Sequence, residues 1–380
     1  MEPENTETVE TPVAKSAPKE RDSVFDVAKG AGILFVLGIH CTGNSARLYT
    51  ASHSIGWWIL QVSNRVFAFA VPLFLLVSSV LAARSLCSKP QVLSFYKRRF
   101  GGVLWPYLVW SLIYDLLRLL KDPAARKIET STFLGLHLTG PALFVHVKPR
   151  LLELVWGKSH FHLYFLVVLL EFIILLPPAV AYLRWRKPGF YEMLATSFLL
   201  QAIIFVIQHK TALLPFPATT ALWYMGSLFP GAWIGINWDE FKSNSNRYSI
   251  PLSIITLISG YLFIHGEIGL MNGIPVDNYT ANGSLTVYAS CLSILVLSWS
   301  FAITKQIRAR KVLEPLGLLS LQIYLIHPAI ILALERPAIV DALKATSVGA
   351  ILSPMLMFVI VLALIWLLKL VRLEKPLFGR

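Results

Sequence analysis

The chain has 380 residues, of which 56% are hydrophobic and only 14% charged. A water-soluble protein of this length carries roughly 25% charged residues, so the composition excludes an ordinary soluble domain. The formal charge of +13 does not point to nucleic acid, because the basic residues stand at the ends of apolar blocks, where they set topology and meet anionic headgroups.

Those blocks are long, most of them near the ~20 residues that a helix needs to cross the hydrocarbon core. A β-barrel would show ~10-residue alternating segments instead. The expected fold class is all-α: a polytopic transmembrane helix bundle of about ten spans with both termini cytoplasmic.

In chain order, residues 1–23 are polar, acid-rich and hold Pro3, Pro12 and Pro18, the composition of a disordered tail. Candidate spans follow at 24–44, 57–83, 100–120, 160–183, 190–207, 219–236, 249–265, 285–303, 315–334 and 349–370, within a membrane domain of 24–370. Residues 371–380 form a short second tail. No small-residue cleavage site follows the first block, so it reads as a retained helix rather than a signal peptide.

An even number of spans returns both termini to one side. If that side is the cytoplasm, the inner segments and the N-terminal tail hold 21 of the 34 basic residues, which favours this orientation. The outer stretch 121–159 is too long for a plain connector. Its pieces "FLGLHL" and "ALFVHV" are expected to form short surface helices. The sequence shows no internal repeat of the kind many transporters carry. Cys41, Cys87 and Cys291 lie in separate segments, with neither metal nor disulfide spacing, and no metal is expected.

Chemistry concentrates in the first span, "DVAKGAGILFVLGIHCTGN" (26–44). Lys29 and His40 are eleven residues apart, three helical turns plus about 20°, so they project from nearly one face about 16 Å apart. Asp26 precedes Lys29 by three residues and is placed to pair with it. Asn44 follows His40 by four and is placed to orient its ring. Gly30, Gly32 and Gly38 permit close approach of a neighbouring helix or a slender ligand. A neutral imidazole at this depth can take a proton from a hydroxyl and return it. Snorkelling by Lys29 and a structural hydrogen bond from His40 are the alternative reading.

Further along, Glu171 falls inside the fourth span, where a lone acid should face the bundle and find a partner; Arg65 and His162 are candidates. Ser320, Tyr324 and His327 recur at spacings of four and three and give the ninth span a polar face.

Several stretches together resemble a known family. The lysine, ten residues and histidine of Lys29 to His40 come first, followed by "FAVPLFLLVSSVLAAR" (69–84) with Ser78, and "FYKRRFGGVLWPYL" (95–108). Then come "HFHLYFLVVLLEFIILLPP" (160–178), "WYMGSLFPGAWIG" (223–235) and "LGLLSLQIYLIHP" (316–328). In this order they are similar to the integral-membrane acyltransferases of family 3. That family moves an acyl group from cytoplasmic acyl-CoA onto hydroxyls of extracytoplasmic glycans.

The resemblance implies that His40 is catalytic, with Lys29, Asp26 and Glu171 as further candidates. Lys97, Arg98 and Arg99 would grip the phosphates of coenzyme A. Asn44, Ser78, His162, Ser320, Tyr324 and His327 would support the site. The family usually has two arginines three residues apart before the proline; Arg99 fits the first, and Gly102 stands at the second. Ser79 stands where glycine is usual. Acetyl-CoA is the expected donor, and a glycan or glycolipid the expected acceptor. Membrane lipid surrounds the protein, and the expected location is the bacterial cytoplasmic membrane. Two rival functions are a transporter or flippase for a modified glycan and a non-catalytic assembly protein.

Overall fold

The computed structural model describes residues 22–48, 54–88, 91–334 and 346–379. The terminal residues 1–21 of the expected tail lie outside these. The structure is a bundle of long helices. In a chain this apolar, helices satisfy every backbone N–H and C=O internally, which lipid demands.

The first helix, α1 (Ser23–Leu48), is followed by α2 (Ile55–Val66), a 3-10 turn at Phe67–Phe69 and α3 (Ala70–Ser88). Helix α4 (Val92–Lys121) leads to the short α5 (Pro123–Arg126), strands β1 (Ile128–Phe133) and β2 (Leu136–Pro141), and two short helices, α6 (Ala142–Val145) and α7 (Val147–Val155). Then come α8 (Tyr164–Arg186), α9 (Phe190–Thr211), α10 (Met225–Ile236), α11 (Trp238–Met271), α12 (Asn278–Ile303), α13 (Ile307–Leu318) and α14 (Ser320–Leu334). Helices α15 (Ser347–Leu370) and α16 (Glu374–Phe378) complete the described chain.

Among the described residues, seven helices are long and apolar enough to cross a membrane, or eight if α13 and α14, bent by 71°, form one broken span. The protein is thus an integral, multi-pass membrane protein. The block 219–236, expected as a span, contains only the 12-residue α10, preceded by 3-10 turns at Pro217–Thr219 and Ala221–Tyr224. At 1.5 Å per residue α10 covers about 18 Å, short of the ~30 Å core. Gly231 and Gly235 press α10 against the backbone of α3, where a Cβ at Gly231 would stand 2.7 Å from the Leu76 carbonyl oxygen.

Burial separates central from peripheral helices. In the most apolar window of α1 and of α12, 61% of residues are buried, against 22% in α11. Helix α1 is therefore the axis of the bundle, packed on α2, α3, α12, α13 and α15.

The stretch 121–159 corrects one expectation. "FLGLHL" is not helical. It closes a β-hairpin with register Ile128↔Pro141 to Phe133↔Leu136. Leu134 and Gly135 both have positive φ, +50° and +82°, as a two-residue type I′ hairpin loop requires. The alternating, β-branched "IETSTF" supplies the strand. "ALFVHV" does begin a helical stretch, α6 and α7. Arg150 on α7 pairs with Asp115 on α4 and with Glu153, tying this stretch to the bundle. On the hairpin, Glu129 accepts a hydrogen bond from His146 at 2.6 Å, which holds its carboxyl below the usual range.

Candidate active site

Helix α1 carries both ends of the site. The Lys29 ammonium, in the second turn, pairs with the Asp26 carboxylate of the first turn at 2.7 Å. Residues three apart share a helix face, and the first turn favours a negative charge. The glycines act as expected. A Cβ at Gly30 would collide with the carbonyl of Leu313, and one at Gly38 would meet the Phe67 ring at 2.8 Å. On the opposing helix, Gly317 is pressed against the Asp26 carbonyl. Backbone contact between α1 and α13 thus sets the height of Lys29.

Lys29 opens into a cavity of about 120 Å³, which Ser78, Gly102, Phe165, Ser320 and Tyr324 also line. The Ser320 hydroxyl donates to the Gly317 carbonyl at 2.8 Å. His40 opens into a second cavity of about 380 Å³, with His162, Tyr164, Trp223, Tyr224 and Tyr324 in its wall. The eleven-residue spacing on one helix therefore places an ammonium in one cavity and an imidazole in the other.

Around His40 the structure assembles an imidazole cluster. The ring centroids of His40 and His327 are 5.1 Å apart, and those of His162 and His327 are 5.9 Å apart. His160 and His162 bring their Nδ1 atoms to 2.9 Å, and His160 stacks on Tyr114 with centroids 4.2 Å apart. His327 donates its Nδ1–H to the Ile323 carbonyl at 3.0 Å, so the neutral ring presents its Nε2 as a bare lone pair. That atom and Nε2 of His162 are buried without a hydrogen-bond partner. Among the described residues, no three His, Cys, Asp or Glu side chains are arranged to hold a metal ion.

Other expected residues fall elsewhere. Glu171 lines neither cavity, and its partner is neither Arg65 nor His162. Its carboxylate accepts from the backbone N–H of Ala221. Ala221 opens a 3-10 turn, so its N–H has no acceptor within that turn. Arg65 pairs with Glu267 at 3.2 Å. Lys97 and Arg98 are exposed on the first turns of α4, and Arg99 donates to the Leu81 carbonyl at 3.2 Å. Arg98 and Arg99 precede Gly102 and Val103 by one turn, and both of those line the Lys29 cavity. The basic cluster therefore lies one helical turn from two residues of that cavity's wall, and none of its three side chains lines the cavity itself. The Asn44 side chain lies outside the described residues.

His160, Trp223 and Tyr224 join the site without having been expected there. The first had a signal: "HFH" sets two imidazoles two residues apart at the start of a helix.

The family model described as an acyltransferase domain, family 3, matches residues 22–370. The chain belongs to that family. No curated protein and no solved structure matches it. Membership in acyltransferase family 3 accounts for nearly the whole chain, and with the apolar helices it makes the protein a membrane acyltransferase. The two cavities, the Lys29–His40 helix and the basic cluster on α4 all lie inside the matched region.

Proposed function

We propose that this family 3 protein carries an acyl group, in the simplest case acetyl, from cytoplasmic acyl-CoA to a hydroxyl of an extracytoplasmic glycan or glycolipid. The observation that carries the proposal is the division of the site. Lys29 and His40, on one helix, open into two cavities that both reach Tyr324.

In this reading Lys97, Arg98 and Arg99 meet the phosphates of the donor. Arginine suits the task because its planar fork binds phosphate oxygens bidentately. The pantetheine arm enters past Gly102, where a missing side chain leaves open space, and runs beside Lys29 and Ser78. The acceptor occupies the larger cavity, whose Trp223, Tyr224 and Tyr164 offer aromatic faces to a sugar ring.

His40 takes the proton of the acceptor hydroxyl as its oxygen bonds to the acyl carbon. The carbon–sulfur bond then breaks, and the proton passes to the departing thiolate, so ester and free coenzyme A are the products. His327 stands beside it, 5.1 Å away between ring centroids, behind the cavity wall rather than in it. With both termini cytoplasmic, the Lys29 cavity faces the cytoplasm and the His40 cavity faces outward, as in a bacterial cytoplasmic membrane.

The test is reconstitution in proteoliposomes with labelled acetyl-CoA supplied on one face and host glycans on the other. Label on the glycan only when donor and acceptor are on opposite faces supports the proposal. Label transport without ester formation would replace it with the flippase reading.

A further inference from the structure

Tyr324 is the residue that the two cavities share among their described walls. The residue is 5% exposed, and its phenol donates to the backbone carbonyl of His162. That bond ties α14 to the turn that begins α8. The ring lies 5.1 Å from Phe165, 5.2 Å from His162 and 6.0 Å from His327 between centroids. Phe165 continues the plate on the Lys29 side, with Phe74 at 6.2 Å, and both line that cavity. The neighbouring Tyr164 lines the other one. The aromatic layer is therefore one side chain thick at Tyr324, with polar ground on each side: Lys29, Ser78 and Ser320 on one, His40 and His162 on the other.

Such a wall has a chemical use. A thioester lodged beside a water-filled chamber is open to hydrolysis: a water oxygen bonds to the acyl carbon, the carbon–sulfur bond breaks, and acetate and free thiol leave. Exclusion of water from the reacting centre suppresses that loss.

We propose that Tyr324 is the partition between the donor and acceptor chambers, a positioning residue that keeps outer water off the thioester until an acceptor fills the larger cavity. The chemical role rests on the acyl-transfer reading given above. The existence of the wall does not, and the experiment separates the two.

Single cysteines are placed at Ser78, on the Lys29 side, and at Thr286, on the His40 side, in full-length protein with Cys41, Cys87 and Cys291 replaced. Reconstituted protein is treated from either face with a membrane-impermeant methanethiosulfonate cation. With Tyr324 present, each cysteine is expected to react from one face only, and the two from opposite faces. Tyr324→Phe keeps that pattern, because the ring remains. Tyr324→Ala lets each react from the far face at least tenfold faster. Tyr324→Leu, narrower than the ring but apolar, serves if the alanine variant does not fold. Reaction of either cysteine from both faces while Tyr324 is intact would overturn the partition, as would unchanged sidedness in the folded small-side-chain variants.

A second arm uses labelled acetyl-CoA without acceptor. Tyr324→Ala is expected to raise acetate release at least tenfold over the protein retaining Tyr324, and an unchanged rate in a protein that does transfer acetyl would overturn the protective role. Sided labelling in a protein that never transfers acetyl would instead refute the acyl-transfer reading and leave the wall standing.

Discussion

Gly317 packs directly against the backbone carbonyl of Asp26, with no room for a Cβ between them. The same crossing repeats one turn away, where Gly30 meets the Leu313 carbonyl. Small residues let helix backbones approach this closely in membranes. Because Asp26 holds Lys29, this crossing fixes the ammonium in the wall of its cavity. Gly317→Val is expected to destabilise the bundle by about 1–3 kcal/mol or more through overpacking. Thermal unfolding in detergent measures the loss, and a variant with unchanged melting would show that the helices are not in backbone contact.

The Asp26–Lys29 pair yields a second expectation. Asp26 is buried at 1% exposure, so Lys29→Met removes the ammonium beside a carboxylate held out of water. Breaking a sealed ion pair costs ~3–5 kcal/mol. The Lys29 side chain is 19% exposed, so about 2–3 kcal/mol is expected after screening. Asp26→Asn combined with Lys29→Met should regain much of that stability, as a double-mutant cycle reads directly. Additive losses would mean that the two groups do not interact.

Gly102 is a vacancy as much as a departure from the family pattern. A Cβ built there meets nothing within 4 Å, and Gly102 lines the Lys29 cavity. Gly102→Arg is expected to fold normally and to lower the donor KM about fivefold, the effect of ~1 kcal/mol from one partly solvated phosphate contact. Arg99→Ala should raise the donor KM with kcat little changed. A Gly102→Arg enzyme with a higher donor KM would place the coenzyme elsewhere.

Glu171 was a natural candidate for chemistry, as an acid inside an apolar helix. Its hydrogen bond to Ala221 makes it a clamp on the link between α9 and α10. Glu171→Gln is expected to cost about 1 kcal/mol of stability, because the amide keeps an acceptor oxygen but loses the charge that strengthens the bond, and to leave kcat within about twofold. A hundredfold loss of kcat at unchanged melting temperature would return Glu171 to the reacting centre.

The sequence made legible whatever is local to one helix. The Asp26–Lys29 pair follows from a spacing of three, and the shared face of Lys29 and His40 from a spacing of eleven, since both need only helical geometry. The close approach at Gly30 also needed only composition. The meeting of His40, His162 and His327 was not legible, because it joins α1, α14 and the turn before α8, and their relative rotation is set by packing. The hairpin was missed because its loop is Leu134–Gly135 rather than the Asn-Gly or Asp-Gly that marks such turns. The bend between α13 and α14 left no proline at Leu319 to announce it. Glu171 found a backbone partner, and spacing rules for side chains do not foresee that.

Everything in the proposed chemistry passes through one ring. The most direct measurement compares acyl transfer from labelled acetyl-CoA to an extracytoplasmic hydroxyl in proteoliposomes of the unaltered protein and of His40→Ala, matched for melting temperature and orientation. The account predicts a loss of kcat of about 10²–10⁴-fold in His40→Ala, the usual worth of a general base, with donor affinity retained at Lys97, Arg98 and Arg99. Equal incorporation of label by the two proteins would contradict it.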